Sequence, residues 1–242
     1  MTLQPSSSAA LSLLKTGQIE FTGEFVWGSN STYQVNVSNQ DGSVLAVYKP
    51  ASGEQPLWDF PVGTLAGREV AAFETSRALG WDLVPPTVLR QGGPRGEGSI
   101  QFFVAADAQH HYFEFDHAEK QRLRPVAVFD MLVNNADRKG GHILFDEEDH
   151  LWLIDHGLTF HQNQKLRTIV WDFVGEPIPE NLLKDLAGFA DRLQNDPELI
   201  ACYEGLITSH ELAALKKRAD ELIANPGFPG PGPGRPYPWP LV

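Results

Sequence analysis

The stretch NNADRKGGHILF, residues 134–145, decides how this chain is read. Asp137, Arg138 and Lys139 stand beside two glycines and a histidine, between two apolar runs. Upstream, LRPVAVFDMLV reads as an apolar helix with Val126, Phe129, Met131 and Leu132 available for a core. Downstream, HILF and LWLI read as short strands joined by the turn DEEDH, and IDHGLTF follows. Asp137 is then on a loop at a helix end, His142 opens one strand, and Asp155 closes the next. Pairing the strands brings His142 and Asp155 to the same end of a hairpin, where Asp155 is displayed as a metal-ligating carboxylate.

Working outward, the first half is rich in strands. Ile19, Phe21, Phe25 and Trp27 precede the turn GSNST, and Tyr33, Val35 and Val37 alternate on the way back. After the turn NQDG, Val44, Ala46 and Tyr48 line one face of a third strand, which ends at Lys49. LAGREVAAFETSRALG predicts a helix with Gly80 as C-cap. WDLVPPTVLR and GSIQFFVAAD predict two more strands. In the second half, PENLLKDLAGFADRLQ and SHELAALKKRADELIA predict amphipathic helices, the latter capped by Ser209. Residues 226–242 carry 7 Pro and 4 Gly, which predicts a disordered or extended tail. The fold class is α+β with two lobes: a small β-rich N-lobe over 1–105 and a mainly helical C-lobe over 106–225.

Composition narrows the function. A net charge of −12 argues against nucleic acid and against anionic membranes as partners. No apolar run approaches the roughly 18–20 residues of a membrane span, and the N-terminal residues lack the pattern of a secretory signal. A single cysteine, Cys202, excludes an intrachain disulfide and fits a cytoplasmic location.

Phosphoryl transfer from ATP needs a cation on the phosphates, a carboxylate to hold it, a metal site and a carboxylate for the acceptor hydroxyl. Lys49 is the candidate cation. Glu69 is its candidate partner, with Glu74 competing on the same helix. Ser29, Asn30 and Thr32 in GSNST offer donors to phosphate, although neither a P-loop nor a G-x-G-x-x-G is present. Two other readings stand beside this one. His142, His150, His156 and His161, near Asp137 and Asp155, suggest a His/Asp metal-dependent phosphohydrolase. A nucleotide-binding pseudokinase that regulates a partner is the third. Lys165 and Arg167 are either holders of an anionic substrate or solvated loop charges.

The residues D137-R138-K139-G140-G141-H142 and D155-H156-G157 resemble the D-R-x-x-x-N loop and D-F-G motif of the protein-kinase-like superfold, nearest its phosphatidylinositol 3-/4-kinase branch. VYKP, PLWDFP, LVPPTVLR, NNADRKGGH and IDHGLTFH resemble a small bacterial phosphatidylinositol 3-/4-kinase-like family over roughly residues 11–180. The resemblance implies an ATP-dependent kinase using Mg2+ or Mn2+. Lys49 would bind the α/β-phosphates and Glu69 would orient it. Gln101, Phe102, Phe103 and Val104 would form a hinge whose backbone faces adenine. Asp137 would orient or deprotonate the acceptor hydroxyl. Asp155 would ligate the metal, with His142 in the place of the family's asparagine, a donor that suits softer ions such as Mn2+ or Zn2+ better than Mg2+. The expected acceptor is a protein or small molecule rather than a lipid.

Overall fold

A computed structural model describes residues 8–25 and 30–242. Helix α1 (Ser8–Thr16) leads into the antiparallel strands β1 (Gln18–Phe25), β2 (Thr32–Asn39) and β3 (Gly42–Pro50). Helix α2 (Leu65–Leu79) precedes β4 (Thr87–Gly93) and β5 (Gly96–Phe102), which complete a five-stranded sheet of order β1-β2-β3-β5-β4. The two-residue period of β2 and β3 buries Tyr33, Val35, Val37, Val44, Ala46 and Tyr48 on one face, against Leu13 and Leu14 of α1. Leu45, on the other face, is 44% exposed. Trp27, expected at the end of the first strand, lies outside the described residues.

Helix α2 is the joint between the lobes. Of its 15 residues, 12 are buried. It begins without a side-chain cap from Thr64. Instead Glu54, in the preceding loop, accepts from the backbone N–H groups of Gly63 (2.7 Å), Leu65 (3.1 Å) and Ala66 (3.4 Å). That carboxylate satisfies orphan donors and faces the positive end of the helix dipole. At the other end Gly80 takes φ 72° and donates to the Arg77 carbonyl at 3.1 Å, the expected cap. Gly67 allows the helix backbone to approach the C-lobe. A Cβ there would lie 2.5 Å from the Leu206 carbonyl oxygen. Ala71, Ala72, Phe73 and Leu79 belong to the same apolar core as the helices that follow.

The C-lobe contains α3 (His117–Gln121), α4 (Arg124–Val133), the hairpin β6 (Ile143–Phe145) and β7 (Leu151–Leu153), and α5 (Glu180–Asn195), α6 (Pro197–Tyr203) and α7 (Ser209–Ala224). Phe129, Leu132 and Val133 of α4, Ile143 and Leu153 of the hairpin, Leu186 of α5 and Leu215 of α7 meet in its core. The cap of α7 is Thr208, not Ser209. Thr208 and Glu211 form a reciprocal capping box, which a lone serine one residue later cannot match.

Residues 226–242 lie outside any helix or strand and run along the C-lobe. Gly227 bridges Pro177, and Phe228 is 5% exposed with its N–H on the Glu176 carbonyl at 3.0 Å. Further on, Pro236 and Leu241 accept from Thr168 (3.1 Å) and Gly140 (2.7 Å). Proline lacks an N–H donor but keeps its carbonyl, and its fixed φ lowers the entropy lost on docking. Among the described residues, no helix is long and apolar enough to cross a membrane.

Candidate active site

A cavity of about 390 Å³ lies between the sheet and the β6–β7 hairpin. Lys49, Glu69, Asp137, Lys139, His142 and Asp155 all line it. Lys49, closing β3, ion-pairs with Glu69 of α2 and reaches Asp155 Oδ1 at 2.8 Å. Glu69 Oε2 accepts the backbone N–H of His156 at 2.9 Å. One glutamate therefore holds both the strand-end lysine and the chain that carries Asp155. Glu74, its competitor, faces away and pairs with Arg77.

On the C-lobe side, the register Ile143↔Leu153 places His142 and Asp155 at one end of the hairpin, as its sequence implied. His142 Nε2 is 3.3 Å from Asp155 Oδ2. Asp155 has φ 60°, a left-handed conformation that aspartate tolerates better than most residues. Asp137 leaves α4 through Asn134, itself left-handed at φ 54°. Its N–H is braced by Asn135 Oδ1 at 2.9 Å, and its carboxylate pairs with Lys139 at 2.8 Å.

The charges shape one another. Burial pulls Lys49 down, but the Asp155 and Glu69 carboxylates outweigh it, so the ammonium is held above its ordinary range. Lys49 in turn holds Asp155 well below the usual carboxylate range, against burial and with help from His142. Burial lowers His142 to about 4, despite Asp155, so its imidazole is neutral at pH 7. Asp137 is pushed up, chiefly by burial, with Lys139 opposing.

Beneath the cavity is a group that the sequence reading missed. Arg138 is fully buried and pairs with Asp130 of α4, Nη2 to Oδ1 3.0 Å. Its other N–H groups reach the carbonyls of Ile154 (3.0 Å) and His142 (3.3 Å) and the Nε2 of His156 (2.8 Å). Asp130 also accepts from Asn135 and Thr168, each at 3.0 Å. The guanidinium thus ties together the backbone around Asp137, His142 and Asp155. The only hint in the sequence is a single acidic residue, Asp130, in a mostly apolar helix, eight residues before an arginine.

Ser29 lies outside the described residues. Asn30 lines the cavity, and its Oδ1 accepts the Gln55 N–H at 2.8 Å. Gln101, Phe102, Phe103 and Val104 line the cavity too, but three are already engaged. Gln101 donates its amide to Thr87 at 2.8 Å, and the N–H groups of Phe102 and Phe103 bond Pro86 (2.8 Å) and Leu45 (3.0 Å). Among the described residues only Val104 of these four keeps a backbone N–H free for a ligand. Lys165 is neither solvated nor free, since it pairs with Asp59 at 2.9 Å.

The four histidines do not converge as a hydrolytic centre would need. His150 packs at a tilt against Trp152, His156 is buried on Arg138, and His161 bonds the backbone of Asn163. Among the described residues, no group of three or more His, Cys, Asp or Glu is placed to hold a metal by protein ligands alone. Asp155 Oδ2 and His142 Nε2, 3.3 Å apart, are two donors that could serve a divalent ion only if its remaining positions were filled by water or ligand oxygens.

Known proteins share this architecture. A proinflammatory kinase of Helicobacter pylori, CtkA, superposes with a TM-score of 0.55 over 88% of this chain and 94% of its own, at 12% identity. Hydra Fam20, solved with sugar, superposes at 0.51 over 91% and 90%, at 14% identity. The two-lobed fold is therefore kinase-like. Phosphatidylinositol 4-kinase gamma 4 of Oryza sativa subsp. japonica is 29% identical over 179 residues, 60% of this chain and 32% of that protein. This chain thus spans about a third of that relative's length. No family model matches the sequence. Protein Rv2133c of Mycobacterium tuberculosis is 39% identical over 99% of this chain and 97% of its own length, and this chain belongs to its family.

Proposed function

We propose that the protein is an ATP-dependent phosphotransferase, with a site of the phosphatidylinositol 3-/4-kinase type. The observation that carries this reading is the chain Asp155–Lys49–Glu69–His156 N–H, which crosses from one lobe to the other at the cavity wall. A fixed ammonium between two carboxylates suits a polyphosphate, which needs a positioned positive charge. The Val104 N–H supplies a donor for the base. Asp155 and His142 would hold Mg2+ or Mn2+, which when bound neutralises charge on the phosphates. Asp137, with its carboxyl pushed up by burial, orients the acceptor hydroxyl and accepts its proton. Lys139, paired to Asp137, adds a cation on the side of the transferred group.

The test is a melting curve with ATP and each metal, followed by labelling with γ-phosphate-labelled ATP. A nucleotide at about 100 times its Kd should stabilise the fold by about 2.7 kcal/mol. Asp155→Ala should abolish the metal-dependent part of that shift, and Asp137→Ala should keep the shift and lose transfer. The absence of a shift with any nucleotide would sink the proposal. A normal shift with no transfer to any acceptor would instead favour the regulatory pseudokinase, for which the histidine at 142 is the supporting feature.

A further inference from the structure

The loop that carries Asp137 is one edge of a short backbone ladder. Arg167 donates to the Asn135 carbonyl (2.8 Å) and accepts from Arg138 (3.0 Å), and Arg138 and Thr168 form a parallel bridge. The outward N–H groups of this ladder and its loop are those of Thr168 and Gly140. Both are taken by carbonyls of the Pro-rich segment, Pro236 and Leu241.

The two ends of that segment are held very differently. Phe228 is buried and its backbone pairs with Glu176 and Gly175. Beyond it, Pro238 is the sole buried residue from 230 to 242. Trp239 is 86% exposed, Val242 53% and Tyr237 48%. The far end gains little from apolar burial and rests on two carbonyl bonds, so it opens at low cost. What it covers is a pair of backbone N–H donors that carbonyls of a single chain segment reach together, the main-chain mode of peptide recognition.

We propose that Gly140 and Thr168 mark a groove for a polypeptide segment bound through its backbone carbonyls, filled in cis by residues 236–242, and that the acceptor for transfer is a polypeptide segment that displaces them. The acceptor class rests on the phosphotransferase reading; the groove itself does not.

The test uses the full chain carrying Pro238→Asp, which places a charge where the strap is buried. A labelled peptide of residues 234–242 should bind this variant saturably and bind the parent at least about tenfold more weakly, as expected where the strap fills the groove about nine-tenths of the time. Amide exchange at Gly140 and Thr168 should accelerate in the variant while Phe160, bonded to the Val133 carbonyl in the core, stays protected. Transfer to casein should rise in the variant, and the free peptide should inhibit it. As a second variant, Gly141→Cys with Val242→Cys should form a disulfide, since a Cβ at 141 would lie 3.7 Å from Val242 Cγ1. Oxidation should then suppress transfer to casein, and reduction should restore it. A peptide that fails to bind the folded variant, or Gly140 and Thr168 amides as protected as Phe160 in the parent, would overturn the groove. Transfer to phosphatidylinositol vesicles but not to casein would overturn the acceptor class. If no nucleotide is bound or turned over, the peptide and exchange measurements still decide the groove.

Discussion

Two arginines are buried to the same degree in this protein and serve different ends. Arg68 of α2 is 1% exposed, and Arg138 of the Asp137 loop is 0% exposed. Arg68 bonds the Thr159 carbonyl and Glu211, each at 2.5 Å, and its guanidinium lies 4.9 Å from the Phe60 ring centroid. These partners come from a loop of the first half, the segment after Asp155 and α7, so Arg68 fixes the lobes relative to each other. The partners of Arg138 all belong to the C-lobe, and they flank Asp137, His142 and Asp155. Equal burial therefore signals equal desolvation cost, not equal role. The role is read from what each guanidinium holds still.

The sharpest way to break the comparison is Arg138→Met. It strands the Asp130 carboxylate, which is fully buried, with no cation nearby. Loss of one partner of a buried pair costs about 3–5 kcal/mol, the largest effect expected here. Urea denaturation measures it. Arg138→Met with Asp130→Leu should recover much of that loss, as coupled partners do, while the metal-dependent thermal shift stays lost. A double variant that is stable and still binds metal normally would show that Arg138 does not position the site.

Arg68→Met should cost less, about 1–3 kcal/mol. Glu211 keeps the Thr208 N–H and hydroxyl, both at 2.9 Å, so its carboxylate is not left bare. The pair also has a pH signature. Burial raises the Glu211 carboxyl, but the Thr208 N–H and Arg68 outweigh it, and its folded pKa lies below the ordinary value. A depressed carboxyl contributes stability above the unfolded pKa, about 4.3 for glutamate, and that contribution is lost as pH falls through the folded value. Arg68→Met should therefore flatten the acid limb of stability below about pH 4.3. An acid limb unchanged from the parent would locate its origin in other carboxylates.

Glu69 is the residue next to Arg68, on the same helix, yet it belongs to the cavity. Glu69→Gln keeps an oxygen for the His156 N–H and removes only the charge from Lys49. The apo fold should change by no more than about 1 kcal/mol, the scale of one hydrogen bond. The ATP-induced thermal shift should fall markedly, because Lys49 loses one of the two carboxylates that fix it. If the shift is intact, the interlobe chain is structural, and α2 carries no functional residue.

These contrasts explain what was legible in the sequence. Lys49, His142 and Asp155 each sit at a strand end, so local pattern alone places their side chains, and the hairpin register brings the last two together. The β-sheet is readable for the same reason, from its period of two. Arg138 and Asp130 were not read as a pair because loop charges are normally solvated, and nothing local says that the hairpin will cover this one. Docking of residues 226–242 was missed because proline and glycine content reports on secondary structure and is silent on carbonyls that neighbouring N–H groups can capture. The choice between Glu69 and Glu74 needed tertiary structure, since both lie on one helix and α2 lacks a clear apolar face.

The smallest effect tests that choice from the other side. Glu74 pairs with Arg77 at i,i+3, and its side chain is 16% exposed against 50% for Arg77. Burial raises its carboxyl above the ordinary value, only partly offset by Arg77, the reverse of Glu211. A raised carboxyl favours the protonated folded state, so the ionised form detracts slightly from stability at neutral pH, and the penalty disappears as pH falls through the folded value. Because half of Arg77 is in water, the pair itself contributes little. Glu74→Gln should leave stability at pH 7 within about 0.5 kcal/mol of the parent, on the stabilising side. The difference should vanish toward pH 4, and the ATP-induced shift should be untouched. A loss of more than about 1 kcal/mol, beyond what a half-exposed pair supplies, or a reduced ATP shift, would move the functional glutamate from 69 to 74 and undo the division of labour along α2.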